Sequence, residues 1–295
     1  MVTFYRRLPK FDYVRPKSLD EVLKLLSMGI HGGVQVYAGG TDVIPKLKRR
    51  EMNKPETLVD LKGIPDLDYL VYDEKVGLRI GALTTIRAVA TSPIVCDRFP
   101  LLAQAAGRIA SNQVQNRGTI AGNICSAVPS ADSAPALLCL GANLLCLKEG
   151  GDRRIGIDDF FKGPGETVMA PDELLKEIQI PPMPENRKGE YIKLSPRSRM
   201  DLAVVGVAVL LGEEKGVIEH IKIGLGAVSP TPMRAKGAED TLHGKKVGDD
   251  VITEAARLAS EEAQPISDHR ASAGYRKMMV EVLVKRALNQ TLSGA

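Results

Sequence analysis

One stretch, residues 116–132, constrains this chain more than any other part of its sequence. It reads NRGTIAGNICSAVPSAD, is rich in small and hydroxyl-bearing side chains, and ends on a carboxylate. Small side chains leave backbone amides uncovered, so a bulky polar ligand can lie directly against the main chain. Residues 37–42, YAGGTD, have the same character. The sequence therefore predicts two ligand-facing loops that together clasp one dinucleotide.

The upstream loop sits between a predicted strand and a predicted helix. Residues 34–37 alternate as a short strand does, and residues 43–50 have a helical pattern. A strand, a glycine turn and a helix start place bare amides where phosphates bind well. The alternative is that Gly39 and Gly40 form only a tight turn, with Thr41 or Asp42 as an N-cap.

The composition is that of an ordinary soluble globular protein of about two domains, with 295 residues, 44% hydrophobic and 26% charged. A net charge of +4 from 40 basic and 36 acidic residues is too slight to predict a nucleic-acid partner. Residues 1–9 lack the apolar core of a secretory signal, and the longest apolar run, 202–211, is too short to span a bilayer. A cytoplasmic protein is expected.

Few residues offer chemistry of their own. The cysteines at 96, 125, 139 and 146 form no C-x-x-C pair, so reduced, mostly buried thiols are expected rather than a metal or iron–sulfur site. No G-x-G-x-x-G follows a strand, and the phosphate-loop, nucleophile-elbow and H-E-x-x-H motifs are missing from the sequence. The histidines at 31, 220, 243 and 269 are scattered. No catalytic residue is assigned, and the chain is expected to be a scaffold for a cofactor's chemistry.

Local signals divide the chain into two domains. Ser18 and Glu21 fit a capping box ahead of an amphipathic helix that ends at Gly29. A proline-rich joint at 181–189 predicts a boundary, giving domains 1–180, with subdomains of about 1–55 and 56–180, and 181–295. The second domain reads as strands near 191–194, 202–211 and 218–228, then helices near 249–263 and 275–288. That order predicts an α+β unit with helices on one face of an antiparallel sheet.

Six short motifs, in order, give the chain a resemblance to a known family. They are Ala38-Gly39-Gly40-Thr41-Asp42, Thr119-Ile120-Ala121-Gly122-Asn123, Ser126-x-x-Pro129-Ser130-x-Asp132, Asp172-Glu173-Leu174-Leu175-x-x-Ile178-x-Ile180-Pro181, Tyr191-x-Lys193 and Arg199-x-Asp201. With these motifs the chain resembles the flavin-bearing medium subunit of molybdenum hydroxylases, the family of carbon monoxide dehydrogenase and xanthine dehydrogenase.

The resemblance implies an α+β fold: a vanillyl-alcohol-oxidase-type FAD-binding domain of two α+β subdomains, then a C-terminal domain with an antiparallel sheet and helices. It implies FAD bound between two walls. The residues of the first wall are Tyr37, Ala38, Gly39, Gly40, Thr41, Asp42, Val43 and Ile44. Those of the second wall are Thr119, Ile120, Ala121, Gly122, Asn123 and Ser126.

Three further residues receive roles from the same resemblance. Asp132 would bind a polar group of the ribityl or flavin, Leu175 would pack against adenine, and Lys193 would lie near the flavin and stabilise its reduced form. The alternatives are that Asp132 caps the helix containing Pro135, that Lys193 protects a strand edge, and that Leu175 is plain core. Ala121 stands where many members have glycine.

The implied function is that of an FAD-carrying electron-transfer subunit in a multi-subunit molybdenum hydroxylase, an oxidoreductase. Electrons would arrive from [2Fe-2S] centres on a small partner subunit and leave for NAD+ or another acceptor. Molybdopterin would reside on a large partner subunit, and the complex would be a heterohexamer, a dimer of heterotrimers. Two alternatives stay open: a free-standing flavoprotein reductase of the same fold, resembling UDP-N-acetylenolpyruvylglucosamine reductase, and a flavin-free docking subunit.

Overall fold

The described part of the chain folds into three units, each built on a main β-sheet. The strands of the first sheet are parallel, and those of the other two sheets are antiparallel. The computed structural model describes residues 7–29, 33–197 and 200–293. The first unit is a three-stranded parallel sheet with strand order β1-β3-β2 and two helices. Its elements are β1 (Asp12–Val14), α1 (Leu19–Met28), β2 (Val34–Tyr37), α2 (Val43–Arg49) and β3 (Thr57–Asp60). Because β3 pairs with both other strands, this sheet extends past the subdomain boundary placed near residue 55.

Helix α1 begins and ends where the sequence predicts. Ser18 Oγ accepts a hydrogen bond from Glu21 N at 3.3 Å, and the helix stops at Gly29. The other half of the predicted capping box is wrong, since the Glu21 carboxylate accepts from Lys17 N at 3.0 Å instead of from Ser18 N. The carboxylate therefore satisfies an amide one residue further upstream.

The second unit is a five-stranded antiparallel sheet, order β4-β5-β10-β6-β7, with a run of short helices inserted between its strands. Its first part comprises β4 (Leu70–Asp73), β5 (Gly77–Gly81), α3 (Ile86–Thr91), α4 (Pro93–Arg98), α5 (Pro100–Gly107), α6 (Asn112–Gln115), α7 (Ile120–Cys125) and α8 (Ser133–Leu140). The second part comprises β6 (Asn143–Lys148), β7 (Gly151–Gly156), β8 (Phe161–Gly163), β9 (Glu166–Thr167) and β10 (Leu174–Ile180). Strands β8 and β9 lie outside the five-stranded sheet and pair with each other. The 116–132 stretch therefore contains helix α7, which the sequence reading did not predict.

The third unit follows the proline-rich joint and is antiparallel, with strand order β11-β12-β13-β14. Its elements are β11 (Arg187–Leu194), β12 (Val205–Glu214), β13 (Val217–Gly226), β14 (Met233–Arg234), α9 (Lys236–Leu242), α10 (Asp249–Glu262) and α11 (Ala273–Ser293). Alternate residues of β12 and β13, such as Val207 and Ile223, pack with the three helices in one apolar core. This arrangement matches the predicted antiparallel sheet with helices on one face.

The opposite face of the third sheet packs against the second unit through α5 and α8. Ala208 and Leu210 belong to the core that the first and second units share. A Cβ on Gly224 would lie 2.4 Å from the Pro135 carbonyl oxygen, so β13 and α8 touch backbone to backbone. This close packing fixes the position of β11 relative to α8, which matters for the site described next.

The cysteines only partly match the sequence prediction. Cys139 and Cys146 are buried, whereas Cys96 and Cys125 are exposed, so "mostly buried" is correct for two of the four. No group of three or more His, Cys, Asp or Glu side chains among the described residues is placed to hold a metal ion. Within the same residues, no helix is both long enough and apolar enough to cross a membrane.

Candidate functional site

A cavity of about 600 Å³ lies between the first unit, the 116–132 stretch and β11. That volume is within the range of small-molecule and cofactor sites. It brings together fourteen of the seventeen residues predicted to bind a cofactor: Ala38, Gly39, Gly40, Thr41, Asp42, Val43, Thr119, Ala121, Gly122, Asn123, Ser126, Asp132, Leu175 and Lys193. The remaining three, Tyr37, Ile44 and Ile120, are not among its lining residues. Ile120 is fully buried and packs in the core beneath the second wall.

The first wall is a glycine turn supported from behind by an aromatic ring. Gly40 has φ +75°, and a Cβ there would lie 2.3 Å from the Tyr37 ring. Only glycine adopts this backbone conformation without strain while leaving room for the ring. The Lys62 ammonium lies 3.7 Å from the centroid of that ring and donates to the Ala38 carbonyl oxygen at 3.0 Å. Tyr37 thus supports the turn and does not line the cavity.

The two walls touch each other directly. A Cβ on Gly39 would lie 1.9 Å from the Arg117 carbonyl oxygen and 2.8 Å from Gly118 Cα. The Ser126 hydroxyl donates to Asp42 Oδ2 at 2.6 Å, which adds a side-chain link between the walls. Asp42 occupies the N-cap position of α2 but makes no side-chain capping hydrogen bond. Asp42 therefore stands at the N-cap position, but its carboxylate is used for the link to Ser126 and not for capping α2.

The second wall is ordered by a capping threonine and by buried isoleucines. Thr119 Oγ1 accepts from Gly122 N at 2.9 Å and thereby starts α7. Ile120 and Ile124 point into the core, which leaves Ala121, Gly122 and Asn123 facing the cavity. The Ser133 hydroxyl donates to Asn123 Oδ1 at 2.6 Å and holds that amide in place. The stretch that was predicted to be an open loop is therefore a short helix, and Ala121 and Gly122 lie on the side that faces the cavity.

One end of the cavity is apolar and sits on β10. Leu174 and Leu175 are 4% and 3% exposed and line this end, so Leu175 belongs both to the core and to the cavity wall. Beside them, Arg153 Nε donates to Glu173 Oε1 at 2.6 Å. Burial opposes ionisation of Glu173, but the hydrogen bonds from Arg153 and the Ala170 amide outweigh it and lower the pKa of that carboxyl. This end suits a flat apolar group beside a carboxylate whose charge is offset by Arg153.

Another part of the wall carries a buried charge pair supplied by two different units. Lys193 Nζ on β11 donates to Asp132 Oδ2 at 2.8 Å and to the Arg108 carbonyl oxygen at 3.0 Å. The Tyr191 hydroxyl donates to Asp132 Oδ1 at 2.7 Å. The side chains of Lys193 and Asp132 are only 5% and 6% exposed. Burial raises the pKa of the Asp132 carboxyl, and the neighbouring Lys193 and Tyr191 oppose that shift.

This geometry removes two alternatives raised by the sequence. Asp132 makes no side-chain capping bond to α8, although it stands at the N-cap position. Lys193 lies on an edge strand, but its side chain is buried and turned into the cavity, so it does not protect that edge from solvent.

Several lining residues were not among those predicted to bind a cofactor. Met200 and Leu202 are 73% and 57% exposed beside the cavity, and Asp201 between them accepts a hydrogen bond from Arg197 at 2.7 Å. Cys125 also lines the cavity, and its side chain is exposed there. Their positions depend on tertiary packing, which no local pattern reports.

Two residues discussed from the sequence lie outside the residues that the structure describes. They are Arg199, the first residue of the Arg-x-Asp motif, and His31. The other three histidines, His220, His243 and His269, are not among the residues lining the cavity.

Two family models together match almost the whole chain. The model for the FAD binding domain in molybdopterin dehydrogenase matches residues 9–183. The chain belongs to this molybdopterin dehydrogenase flavoprotein family. The model for the CO dehydrogenase flavoprotein C-terminal domain matches residues 190–291. These matches confirm the family inferred from the motifs and the presence of an FAD-binding domain.

Full-length relatives of the same family are similar in sequence and in structure. The glyceraldehyde dehydrogenase medium chain of Sulfolobus acidocaldarius is 36% identical over 96% of this chain and 98% of its own. Carbon monoxide dehydrogenase from Hydrogenophaga pseudoflava superposes with a TM-score of 0.93 at 35% identity, covering 97% and 99% of the two chains. Quinoline 2-oxidoreductase from Pseudomonas putida 86 gives 0.91 at 30% identity, with 98% and 99% covered. These similarities confirm the predicted α+β two-part fold and the assignment to an oxidoreductase.

Proposed function

We propose that this chain is the FAD-carrying electron-transfer subunit of a multi-subunit molybdenum hydroxylase. In this proposal a small partner with [2Fe-2S] centres delivers electrons, a large partner holds molybdopterin, and NAD+ or another acceptor receives the electrons. The observation that carries it is the two-walled cavity, in which glycine backbone, a bridging hydroxyl–carboxylate bond and a buried charge pair meet. When bound, FAD supplies the exchange between one-electron and two-electron transfer.

The residues of the cavity fit such a cofactor. Gly39 and Gly40 remove two Cβ atoms where the walls come together, so the main chain itself can face a pyrophosphate. The Asp42–Ser126 hydrogen bond holds the walls at a fixed spacing. Leu174 and Leu175 offer an apolar surface to a flat ring.

The buried pair would act on the charge of the bound group. Lys193 can stabilise negative charge that develops near it, because a low-dielectric wall strengthens this interaction. Asp132 holds the ammonium in one position through the hydrogen bond at 2.8 Å.

The substrate of the complex would be selected outside this chain. The relatives of similar fold are named for glyceraldehyde, carbon monoxide and quinoline, three compounds that share little chemistry. One flavoprotein fold therefore accompanies very different substrates, which supports a role in electron transfer only. We also propose that the domains divide at the proline-rich joint, as 1–180 and 181–295, and that the complex is a dimer of heterotrimers.

A substitution at Gly40 tests the proposal. Gly40→Val introduces both a strained φ and a clash with the Tyr37 ring, so flavin content and electron output should fall while the subunits still assemble. Gly150→Val is a matched control, since Gly150 has φ +80° but no atom within 4 Å of its missing Cβ. The measurements are the visible absorption spectrum and size-exclusion profile of the complex purified with its partners.

The same experiment decides between the proposal and a docking role. A complex that contains no flavin in the wild type, or keeps full activity in Gly40→Val, would contradict the proposal and favour a flavin-free docking subunit. A chain that isolates alone with flavin and reduces a soluble substrate would favour the free-standing reductase. The electron acceptor is identified by mixing the reduced complex with NAD+ and, separately, with a quinone, and by finding which of the two reoxidises it.

A further inference from the structure

Tyr191 reaches the cavity only through another side chain. It is 3% exposed, lies in the core between the third sheet and the second unit, and is not among the residues lining the cavity. Its hydroxyl donates to Asp132 Oδ1 at 2.7 Å, while Lys193 donates to Asp132 Oδ2 at 2.8 Å. Each carboxylate oxygen thus has its own donor, one neutral and one charged.

The charge that the cavity presents depends on this arrangement. The Lys193 ammonium alone would favour any negative charge gained nearby, whereas an ionised Asp132 beside it cancels most of that effect. The Tyr191 hydroxyl stabilises the ionised carboxylate, because a hydrogen bond to the charged form favours that form. Arg108, whose carbonyl accepts from Lys193, is the other charged residue that acts on Asp132.

We propose that Tyr191 is a positioning residue that sets the reduction potential of the bound flavin, by fixing how far Asp132 offsets the charge of Lys193. The inference rests on the proposed function, since it requires FAD in the cavity. Two-electron reduction of FAD takes up two electrons and one proton and leaves one negative charge on the ring. A wall that is more positive therefore favours the reduced form, and a wall that is more negative favours the oxidised form.

Four variants give signed expectations. Asp132→Asn leaves the ammonium without its counter-charge and should raise the potential, and Lys193→Met leaves the carboxylate alone and should lower it. Each shift should change the ratio of reduced to oxidised flavin at least tenfold, about 30 mV for a two-electron couple. Tyr191→Phe should raise the potential by less than Asp132→Asn does. The double variant Asp132→Asn with Lys193→Met removes both charges and should return close to the wild type.

A second buried tyrosine–carboxylate bond supplies the control. The Tyr69 hydroxyl donates to Glu177 Oε2 at 2.6 Å, Glu177 is 1% exposed, and neither residue lines the cavity. Tyr69→Phe therefore removes the same kind of bond away from the cofactor and should leave the potential unchanged. A general loss of packing would move both tyrosine variants alike.

The experiment is a potentiometric titration of the FAD-loaded complex with dithionite, followed by the flavin absorbance. The inference is overturned if Tyr191→Phe titrates like the wild type, if Asp132→Asn does so, or if the double variant keeps the full shift of Asp132→Asn. FAD content, measured first, separates the two proposals. A wild-type complex without FAD refutes the proposed function and this inference together, whereas a loaded complex whose potential does not respond refutes only the inference.

Discussion

Replacing Gly39 by alanine tests the contact between the two walls with the smallest possible change. The added Cβ would meet only backbone atoms: the Arg117 carbonyl oxygen at 1.9 Å, its carbon at 2.7 Å and Gly118 Cα at 2.8 Å. No flexible side chain is available to move aside. Gly39 does not have a positive φ, so the substitution acts through steric overlap and adds no dihedral strain.

The size of the effect follows from how far the walls must part. Restoring ordinary van der Waals contact requires a separation of about 1.5 Å. Overpacking of this kind costs about 2 kcal/mol in a closed structure. The walls already touch at this glycine, so the chain can relieve the overlap only by parting them, which disturbs the cavity that they line. We therefore expect an FAD affinity about 30-fold weaker, with a smaller change in the free energy of unfolding.

The assay is titration of the apoprotein with FAD, followed by quenching of flavin fluorescence. Gly107→Ala is the matched control, since Gly107 ends helix α5 and has no atom within 4 Å of its missing Cβ. That variant should bind FAD as the wild type does and be equally stable or slightly more stable. Equal FAD affinities for the Gly39→Ala and Gly107→Ala proteins would refute the idea that the contact between the walls shapes the cofactor site.

Three further predictions concern separate features of the chain. Ser126→Ala removes the hydrogen bond to Asp42 and should weaken FAD binding by about 1 kcal/mol, roughly fivefold, measured in the same titration; unchanged affinity would show that the bond does not hold the walls. In the third unit, hydrogen bonds from Arg270, with Arg276 also contributing, lower the pKa of Asp268, so its contribution to stability is present above about pH 4 and is lost as the pH falls further. Asp268→Asn should destabilise the protein at neutral pH by about 2 kcal/mol, because it weakens the support of the buried Arg276. In urea titrations, the variant should also lose less stability than the wild type as the pH falls below about 4. Parallel pH profiles for the two proteins would contradict this. Cys125 and Cys96 are both exposed, but only Cys125 lines the cavity, so alkylation of Cys125 should stop when FAD is bound and alkylation of Cys96 should not respond to FAD. Mass spectrometry of labelled peptides checks both, and equal labelling of Cys125 with and without FAD would place this thiol outside the cofactor cavity.

The local features of the fold were predictable from the sequence. Ser18 and Gly29 delimit α1, and residues 34–37 form the predicted strand ahead of the glycine turn. Such features depend on neighbours a few residues away, which a sequence pattern contains. Strand β7, Gly151–Gly156, gives only a weak signal in the sequence, because four of its six residues are exposed and polar or glycine and it has little apolar alternation.

The residue types that line the cavity were also predictable, but the hydrogen bonds between them were not. Small residues in two loops correctly indicated a shared cavity. The bond between Tyr191 and Asp132 joins residues 59 positions apart, and that between Asp42 and Ser126 spans 84. Partners this distant are selected by the packing of whole sheets, so a short motif can mark each residue and still not report that they meet.

The position of β11 gives the biosynthesis of this protein a fixed order. The strand supplies Lys193 to the cavity, yet it belongs to the third sheet and is held there by β12 and by the contact of β13 with α8. A nascent chain that ends before residue 226 lacks the last residues of β13 and cannot complete that sheet. Closure of the cavity therefore depends on residues that are synthesised long after both glycine walls, and a product truncated within the third unit would have both walls but no closed cavity.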